Sequence, residues 1–353
     1  MLYYHLGAFW YNKHIKGLGS RPYIKKGRIH MKKLLALVLA AVMMMGLVSV
    51  VSAESKSLNI GVAIYKYDDN FMTLYRTELE KYLTDMGHKV TVVDGKGDQV
   101  EQTNQINTFI ADKVDVLIIN LVQSTAAATV IDLVKAAGIP TVFINREPTA
   151  EDMQLWDKIA YVGADARQSG TFQGEIIAAT ENKGDFNGNG VVDYVMIVGD
   201  PENVDAQYRT EFSIKALTDA GLTVNKLFEQ RGDWAQEKGQ ELSATALAQF
   251  GNEIDVILAN NDGMALGALQ SIDAAGRTVG KDIYLVGVDA LPEVVQLVME
   301  GRITGTVLND HIGQSHTAGD VAIKAAAGEP LEKNYTVDYV KVTQENAAEF
   351  AAK

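Results

Sequence analysis

After Ser57 the chain alternates between short apolar runs and longer amphipathic stretches, and this alternation constrains the fold more than any other feature. Runs of strand length occur at 58–65, 89–94, 114–120, 141–145, 192–198, 224–229, 255–259, 283–288 and 304–308. Helical patterns lie between them, among them 71–86, 99–112, 125–137, 168–181, 206–220 and 235–249. Strands and helices that take turns in this way predict βαβ units and parallel sheets.

These strands are too many for one compact doubly wound domain of this length, so the sequence predicts an α/β protein with two similar lobes. Each lobe is expected to be a doubly wound parallel sheet flanked by helices. No linker rich in glycine, serine and proline separates the lobes, which favours a hinge of strand crossovers. The predicted first lobe comprises residues 58–146 and 310–336, and the second comprises 147–309 and 337–353.

Charge and cysteine content exclude several classes of protein. The chain has no cysteine, which excludes disulfides, thiolate metal sites, a cysteine nucleophile and a lipidated N-terminal cysteine. The first 53 residues hold eight basic residues and no acidic one, so the remainder has 24 basic and 45 acidic residues, a net charge of −21. Such an acidic body argues against nucleic acid as a partner.

The N-terminal region reads as an export signal. Lys32 and Lys33 precede an apolar stretch over 34–51, and Val51-Ser52-Ala53 offers small residues for cleavage. Residues 31–53 therefore predict a signal peptide and an exported, periplasmic protein; the alternative is a transmembrane anchor. Because Met31 begins a complete signal, residues 1–30 are interpreted as an upstream extension from a start codon assigned too early.

Polar side chains follow the predicted strands, where doubly wound sheets bind ligands. They are Asp69, Asn120, Asn145, Asp200, Asn261, Asp289 and Asn309. Nucleotide-binding glycine loops and the HExxH and GxSxG motifs do not occur in the sequence. We therefore expect a binding protein rather than an enzyme.

One segment has the spacing of a calcium-binding EF-hand loop. Oxygen-bearing side chains and one backbone carbonyl occupy loop positions 1, 3, 5, 7 and 9, and the glycine of position 6 is Gly190. These ligands are Asp185, Asn187, Asn189, Val191 through its carbonyl, and Asp193. Position 12 is Met196 instead of glutamate, so either a remote carboxylate closes the site or a ligand is missing. The alternative is a polar turn.

Two aromatic residues stand beside acids near strand ends. Phe71 follows Asp69, and Trp234 follows Asp233. Carboxylates bind sugar hydroxyls and aromatic rings cover the C–H faces of a pyranose, although an aromatic residue at a helix start more often packs in the core.

Several segments together resemble one protein family. They are IGVAIYKYDDNF (60–71), INLV (119–122), NREP (145–148), DFNGNG (185–190), GDPENVDAQYR (199–209), ANNDGMALGA (259–268), GVDALPE (287–293) and GTVLND (305–310). In this order they are similar to the D-glucose/D-galactose-binding proteins of bacterial periplasms, over nearly all of residues 58–350. The resemblance implies the type I periplasmic binding protein fold.

The resemblance also implies roles for individual residues. Phe71 and Trp234 match an aromatic pair that sandwiches the sugar ring. The matching hydrogen-bonding positions are Asp69, Asn120, Asp205, Arg209, Asn261, Asp289 and Asn309. Asn203 stands where the family has histidine, which leaves the exact sugar open. Asp255 matches the remote glutamate that closes the calcium loop, and it is one carbon shorter.

The partners implied by the resemblance are a glucose- or galactose-like hexose, the membrane subunits of an ABC sugar importer, and a methyl-accepting chemoreceptor as a further partner. The protein is expected to act as a monomer. The alternatives are a receptor for another monosaccharide such as xylose or ribose, the effector half of a transcription regulator, and a sugar-processing enzyme.

Overall fold

The computed structural model describes residues 57–351. The strands are β1 (Asn59–Ile64), β2 (Lys89–Asp94), β3 (Val116–Ile119), β4 (Thr141–Ile144), β5 (Ile159–Gly163), β6 (Val192–Val198), β7 (Val224–Arg231), β8 (Val256–Ala259), β9 (Tyr284–Val286), β10 (Gly305–Leu308), β11 (Asn334–Thr336) and β12 (Val340–Thr343). The helices are α1 (Asn70–Asp85), α2 (Gln99–Ala111), α3 (Ala127–Ala137), α4 (Ala166–Ala178), α5 (Val204–Asp219), α6 (Gln236–Phe250), α7 (Asp262–Ala274), α8 (Pro292–Met299) and α9 (His311–Ala327).

The predicted extension over 1–30 and signal peptide over 31–53 lie outside the described residues. Within 57–351, no helix is both long and apolar enough to cross a membrane.

The strands form two sheets with the same order of equivalent strands. The first sheet runs β11-β5-β4-β3-β1-β2, and the second runs β12-β10-β9-β8-β6-β7. All neighbours are parallel except β10 and β12, which are antiparallel. The strand order reverses beside β1 and beside β6, which creates a switch point at the carboxyl ends of each sheet. The predicted fold class is confirmed.

The core follows from the burial of both sheet faces. β3 and β8 are buried throughout, as strands of a parallel sheet covered by helices must be. In the first lobe, α1 and α9 pack on one face and α2 and α3 on the other. In the second lobe, α6, α7 and α8 cover one face and α4 and α5 the other. Each lobe therefore has three layers with core on both sides of its sheet.

The predicted boundary at residue 146 is wrong for one strand. β5 lies after this boundary, yet Thr141 of β4 pairs with Ile159 of β5 in the first sheet. No α-helix separates β4 from β5, so the strand–helix alternation gave no signal there. The chain passes between the lobes after β5, after β10 and after β11, and these crossings form the hinge.

Candidate functional site

A cavity lies between the carboxyl ends of the two sheets and holds about 330 Å³ of space not filled by protein atoms. Its lining residues are Tyr65, Asp69, Phe71, Met72, Asn145, Arg146, Asn203, Asp205, Arg209, Trp234, Asn261, Asp289 and Asn309. The structure thus brings together every residue predicted for the sugar site except Asn120.

Two aromatic rings enter the cavity from opposite lobes. Phe71 lies in the first turn of α1 and meets Tyr75 edge-on, with ring centroids 6.0 Å apart. Trp234 follows β7 and packs over Gly199, where an added Cβ would lie 2.2 Å from the indole ring. Glycine is therefore required beneath this ring. The two aromatic rings share one cavity, as a sandwiched sugar requires.

Asp69 is fixed at the start of α1. Its Oδ1 accepts a hydrogen bond from the backbone N–H of Met72 at 2.7 Å, which caps the helix. Its Oδ2 accepts from the Tyr65 hydroxyl at 2.6 Å. The carboxylate therefore reaches the cavity in one defined orientation.

Asn120 does not line the cavity and its side chain is wholly buried, so its predicted contact with the ligand stays a prediction. Its Oδ1 accepts from the Tyr65 N–H at 3.3 Å, and its Nδ2 donates to the Ile144 carbonyl at 3.2 Å. Nδ2 also donates to Oδ1 of Asn145 at 3.1 Å. Asn120 thus positions Asn145, which lines the cavity.

Asn145 was not predicted to line the site, although it follows β4 as Asn120 follows β3. It adopts φ of 60°, a left-handed conformation that asparagine tolerates better than most residues. Tyr65, Met72 and Arg146 also line the cavity without having been predicted. The sequence could have indicated these three residues only through their positions at the ends of strands or the starts of helices.

The second lobe supplies a buried ion network. Arg209 Nη2 lies 3.8 Å from Asp205 Oδ2, and Arg209 Nη1 lies 3.9 Å from Asp289 Oδ1. The guanidinium also donates to the Asn260 carbonyl at 2.8 Å and to the Tyr339 hydroxyl at 3.1 Å. Burial raises the pKa of Asp205 and of Asp289, and Arg209 opposes this shift in both.

Three asparagines complete the second-lobe wall. The side chains of Asn203 and Asn261 cap α5 and α7 by accepting from the N–H groups of Asp205 and Met264, at 3.0 and 2.9 Å. Asn309 Nδ2 donates to Asp289 Oδ1 at 3.4 Å. The capping bonds use the amide oxygens, and Nδ2 of Asn261 donates to the Trp234 carbonyl at 3.2 Å.

The predicted calcium loop lies at the opposite end of β6. Asp185 accepts from the N–H groups of Gly188 and Gly190 at 2.7 and 2.8 Å, so the loop curls around this first position. Nδ2 of Asn187 and of Asn189 lie 3.3 and 3.0 Å from Asp193 Oδ2. The side chains of positions 1 to 9 therefore sit in one compact loop.

Asp255 fits the closing role less well. It is wholly buried, and its oxygens accept from the backbone N–H groups of Phe186, Asn187 and Asp193 at 3.0 to 3.2 Å. Among the described residues, no group of three or more His, Cys, Asp or Glu side chains is arranged to hold a metal. The oxygen atoms of the loop itself suit calcium. Asp255 stabilises the loop by accepting hydrogen bonds from its backbone N–H groups.

Comparison with known proteins decides the family. The model of the periplasmic binding protein domain matches residues 60–330. The chain belongs to the periplasmic binding protein family. The resemblance found in the sequence is confirmed.

Individual relatives of this periplasmic binding protein bind different small molecules. It is 36% identical to the D-galactose/methyl-galactoside-binding periplasmic protein of Haemophilus influenzae, over 82% of this chain and 91% of that protein. It is 33% identical to a putative rhizopine-binding protein of Rhizobium meliloti, over 92% and 100%. An ABC transporter solute-binding protein of Bacillus halodurans, solved with myo-inositol, has a TM-score of 0.74 and 29% identity over 84% of this chain and 98% of that one.

Proposed function

We propose that this protein is a non-enzymatic receptor that binds a glucose- or galactose-like hexose between its lobes. The observation that carries the proposal is the cavity with Phe71 on one side, Trp234 on the other and a ring of carboxylates, amides and arginine between them. Aromatic faces match the C–H faces of a pyranose, and the polar ring matches its hydroxyls. The relative that binds D-galactose supports the same ligand class.

Binding is proposed to proceed by hinge closure. Both lobes contribute polar groups and aromatic rings to the cavity, so a ligand satisfies its hydroxyls only when the lobes meet. A ligand with this preference shifts the population toward the closed form. Arg209 is held by Asn260 and Tyr339 and needs no rearrangement to donate, which favours tight binding.

The cellular role proposed is delivery of the sugar to an ABC importer from the periplasm, by a monomer that a chemoreceptor also recognises. The family and the periplasmic location of the galactose-binding relative support this role. The export signal proposed for residues 31–53 agrees with it. Failure to recover the protein from a periplasmic extract would contradict it.

A second candidate ligand is a cyclitol. The solved structure with myo-inositol and the rhizopine-binding relative favour it. Asn203 adds support, because it stands where the glucose/galactose-binding proteins have histidine and its oxygen is engaged in capping α5. A hydroxyl on every ring carbon would suit the continuous polar ring of the cavity.

The ligand class is tested by titration calorimetry with D-galactose, D-glucose, D-ribose, D-xylose and myo-inositol. We expect one of the hexoses to bind with a Kd of about 1 μM or lower. Trp234→Ala should abolish this binding, whereas Trp156→Ala, at the edge of the first-lobe core and away from the cavity, should preserve it. Tightest binding of myo-inositol would move the assignment to cyclitols, and no binding of any of the five would refute the proposal.

We also propose that the loop of Asp185, Asn187, Asn189, Val191 and Asp193 binds calcium weakly as a structural ion. Oxygen donors at EF-hand spacing support it, and the engagement of Asp255 by backbone N–H groups limits its affinity. Calcium should raise the melting temperature of the wild type but not of Asp185→Ala. A melting curve of the wild type that is indifferent to both calcium and a chelator would exclude the site.

A further inference from the structure

One ion pair joins the two lobes beside the cavity. Arg146 follows β4 in the first lobe, and its Nη1 lies 3.4 Å from Oδ2 of Asp200, which follows β6 in the second lobe. Each of the other ion pairs between described residues joins two residues of the same lobe. Because Arg146 and Asp200 belong to different lobes, their contact exists only while the lobes are closed.

The first lobe holds Arg146 in place independently of Asp200. Nη1 donates to the Val122 carbonyl at 2.6 Å, and the guanidinium carbon lies 4.1 Å from the centre of the Tyr65 ring. The side chain is only 4% exposed. The cation thus keeps its orientation when the lobes part, because both supports belong to the first lobe.

The second lobe holds Asp200 in the same manner. Oδ1 accepts from the Glu202 N–H at 3.1 Å and lies 3.3 Å from Nη2 of Arg231. Oδ2 is the oxygen that faces Arg146. Both partners are therefore preorganised, and closure brings them together with little loss of side-chain freedom, which is the usual cost of an ion pair.

The position of the pair gives it a role in binding. Arg146 lines the ligand cavity, whereas Asp200 does not. A second space of about 440 Å³ shares Arg146 and Trp234 with the ligand cavity and is also lined by Asp200. Arg146 thus lines both spaces, and the ion pair joins the two lobes beside the ligand cavity. At 4% and 17% exposure its two side chains attract more strongly than a surface pair does.

We propose that the Arg146–Asp200 ion pair is a closure latch that raises ligand affinity by stabilising the closed form. The proposal rests on the proposed function, since it requires a ligand that binds by closure. Asp200 acts on affinity without touching the ligand, through the equilibrium between the open and closed forms. Arg146 couples the two events because it faces both the cavity and Asp200.

The test compares Asp200→Asn, Arg146→Gln and the double variant with the wild type. The matched control is Asp273→Asn, which removes an exposed ion pair with Arg302 inside the second lobe. The Kd values of D-galactose and myo-inositol are measured by calorimetry, and the closed fraction by small-angle scattering with and without each ligand. We expect Asp200→Asn to weaken binding about tenfold. The double variant should bind no more weakly than Arg146→Gln, because both changes break one contact.

Salt provides an independent readout. Both probes are uncharged, so their affinity should depend on ionic strength only through charged contacts between the lobes. The wild type should bind more weakly as salt rises, and Asp200→Asn should be much less sensitive. Equal salt dependence in the two proteins would overturn the latch.

The remaining outcomes also decide. Weak binding by Arg146→Gln with unchanged binding by Asp200→Asn would make Arg146 a ligand contact and refute the latch. If Asp200→Asn and Arg146→Gln lower the melting temperature equally but leave the Kd and the closed fraction unchanged, the pair stabilises the fold and does not act as a latch. If neither probe binds the wild type, the proposed function fails, and the ligand-free closed fraction still tests the latch: no difference between the wild type and Asp200→Asn refutes it.

Discussion

The two lobes share one strand order and yet bring different chemistry to the cavity between them. The first-lobe wall includes Phe71, Asp69 and Asn145, each held by hydrogen bonds or ring contacts within that lobe. The second-lobe wall is built around Arg209, which lies between Asp205 and Asp289. The shared strand order of the two sheets therefore determines where polar residues lie, but not which charge they carry. We therefore expect the second lobe to contribute most to ligand affinity. The first lobe is expected to contribute mainly through its fit to the ring of the ligand.

The largest effect is expected at the centre of the second-lobe network. Arg209→Met leaves two carboxylates buried without their cation and should destabilise the protein by about 3–5 kcal/mol. Ligand binding should weaken by more than about 100-fold, since about 3 kcal/mol of binding free energy corresponds to this factor. Chemical denaturation and calorimetry measure the two effects.

Arg277→Met is the control for this change, because Arg277 is buried in the second lobe beside Asp282 and away from the cavity. It should lower stability but preserve affinity. Equal affinity losses in both variants would mean that binding reports only the integrity of the second lobe.

The next effect concerns the aromatic plate of the first lobe. Phe71→Ala should weaken binding by about 10- to 100-fold, because it removes one face of the sandwich and its buried contact with the ring. Phe109→Ala removes an equally buried ring from the opposite face of the first sheet. Calorimetry should show that Phe109→Ala keeps the wild-type Kd, and a comparable loss in both variants would contradict the role of Phe71.

A smaller effect is expected from the amide that sequence reasoning missed. Asn145→Gly keeps the backbone conformation at φ of 60° and removes one hydrogen bond to the ligand. Binding should weaken about tenfold, the value of roughly one hydrogen bond. An unchanged Kd would show that Asn145 lines the cavity without contacting the ligand.

The smallest effect is a pH dependence of stability in the second lobe. Burial raises the pKa of Asp262 to about 7, while hydrogen bonds from Thr306 and Leu291 partly oppose the shift. Between about pH 4 and this value, the folded protein retains a proton that the unfolded chain has lost. Stability from this group therefore falls as the pH rises through that window.

Asp262→Asn should reduce this fall. We expect the melting temperature of the wild type to drop more than that of the variant between pH 5 and pH 8. Asp205 and Asp289, whose pKa values are also raised by burial, keep part of the slope in both proteins. Parallel curves would assign the pH dependence to groups other than Asp262.

Much of the fold could be predicted because parallel strands buried on both faces leave continuous apolar runs, as in β3 and β8. β5 was missed since no α-helix separates it from β4. β11 and β12 were missed because they are short, largely exposed strands at sheet edges, where burial imposes no apolar pattern.

The sequence could predict which residues follow the strands and lie near the site, but not which of them line it. Asn120 and Asn145 both follow strands of the first sheet, and the sequence does not distinguish them. They differ in the structure, because Asn145 adopts a left-handed conformation and lines the cavity, whereas Asn120 is buried and hydrogen-bonds Tyr65 and Ile144. Arg146 was missed for a similar reason, since its partner Asp200 belongs to the other lobe and is distant in sequence.

The three crossings of the hinge make each lobe a composite of distant chain segments. The first sheet lacks its edge until β11 is present, and the second sheet lacks its edge until β12 is present, close to the carboxyl terminus. Neither lobe can therefore assemble completely on a ribosome before nearly the whole polypeptide has been made. A gene split between β5 and α4 would leave all strands of the second sheet on one fragment, whereas the first sheet would be whole only after β11 of that fragment had joined β5 of the other.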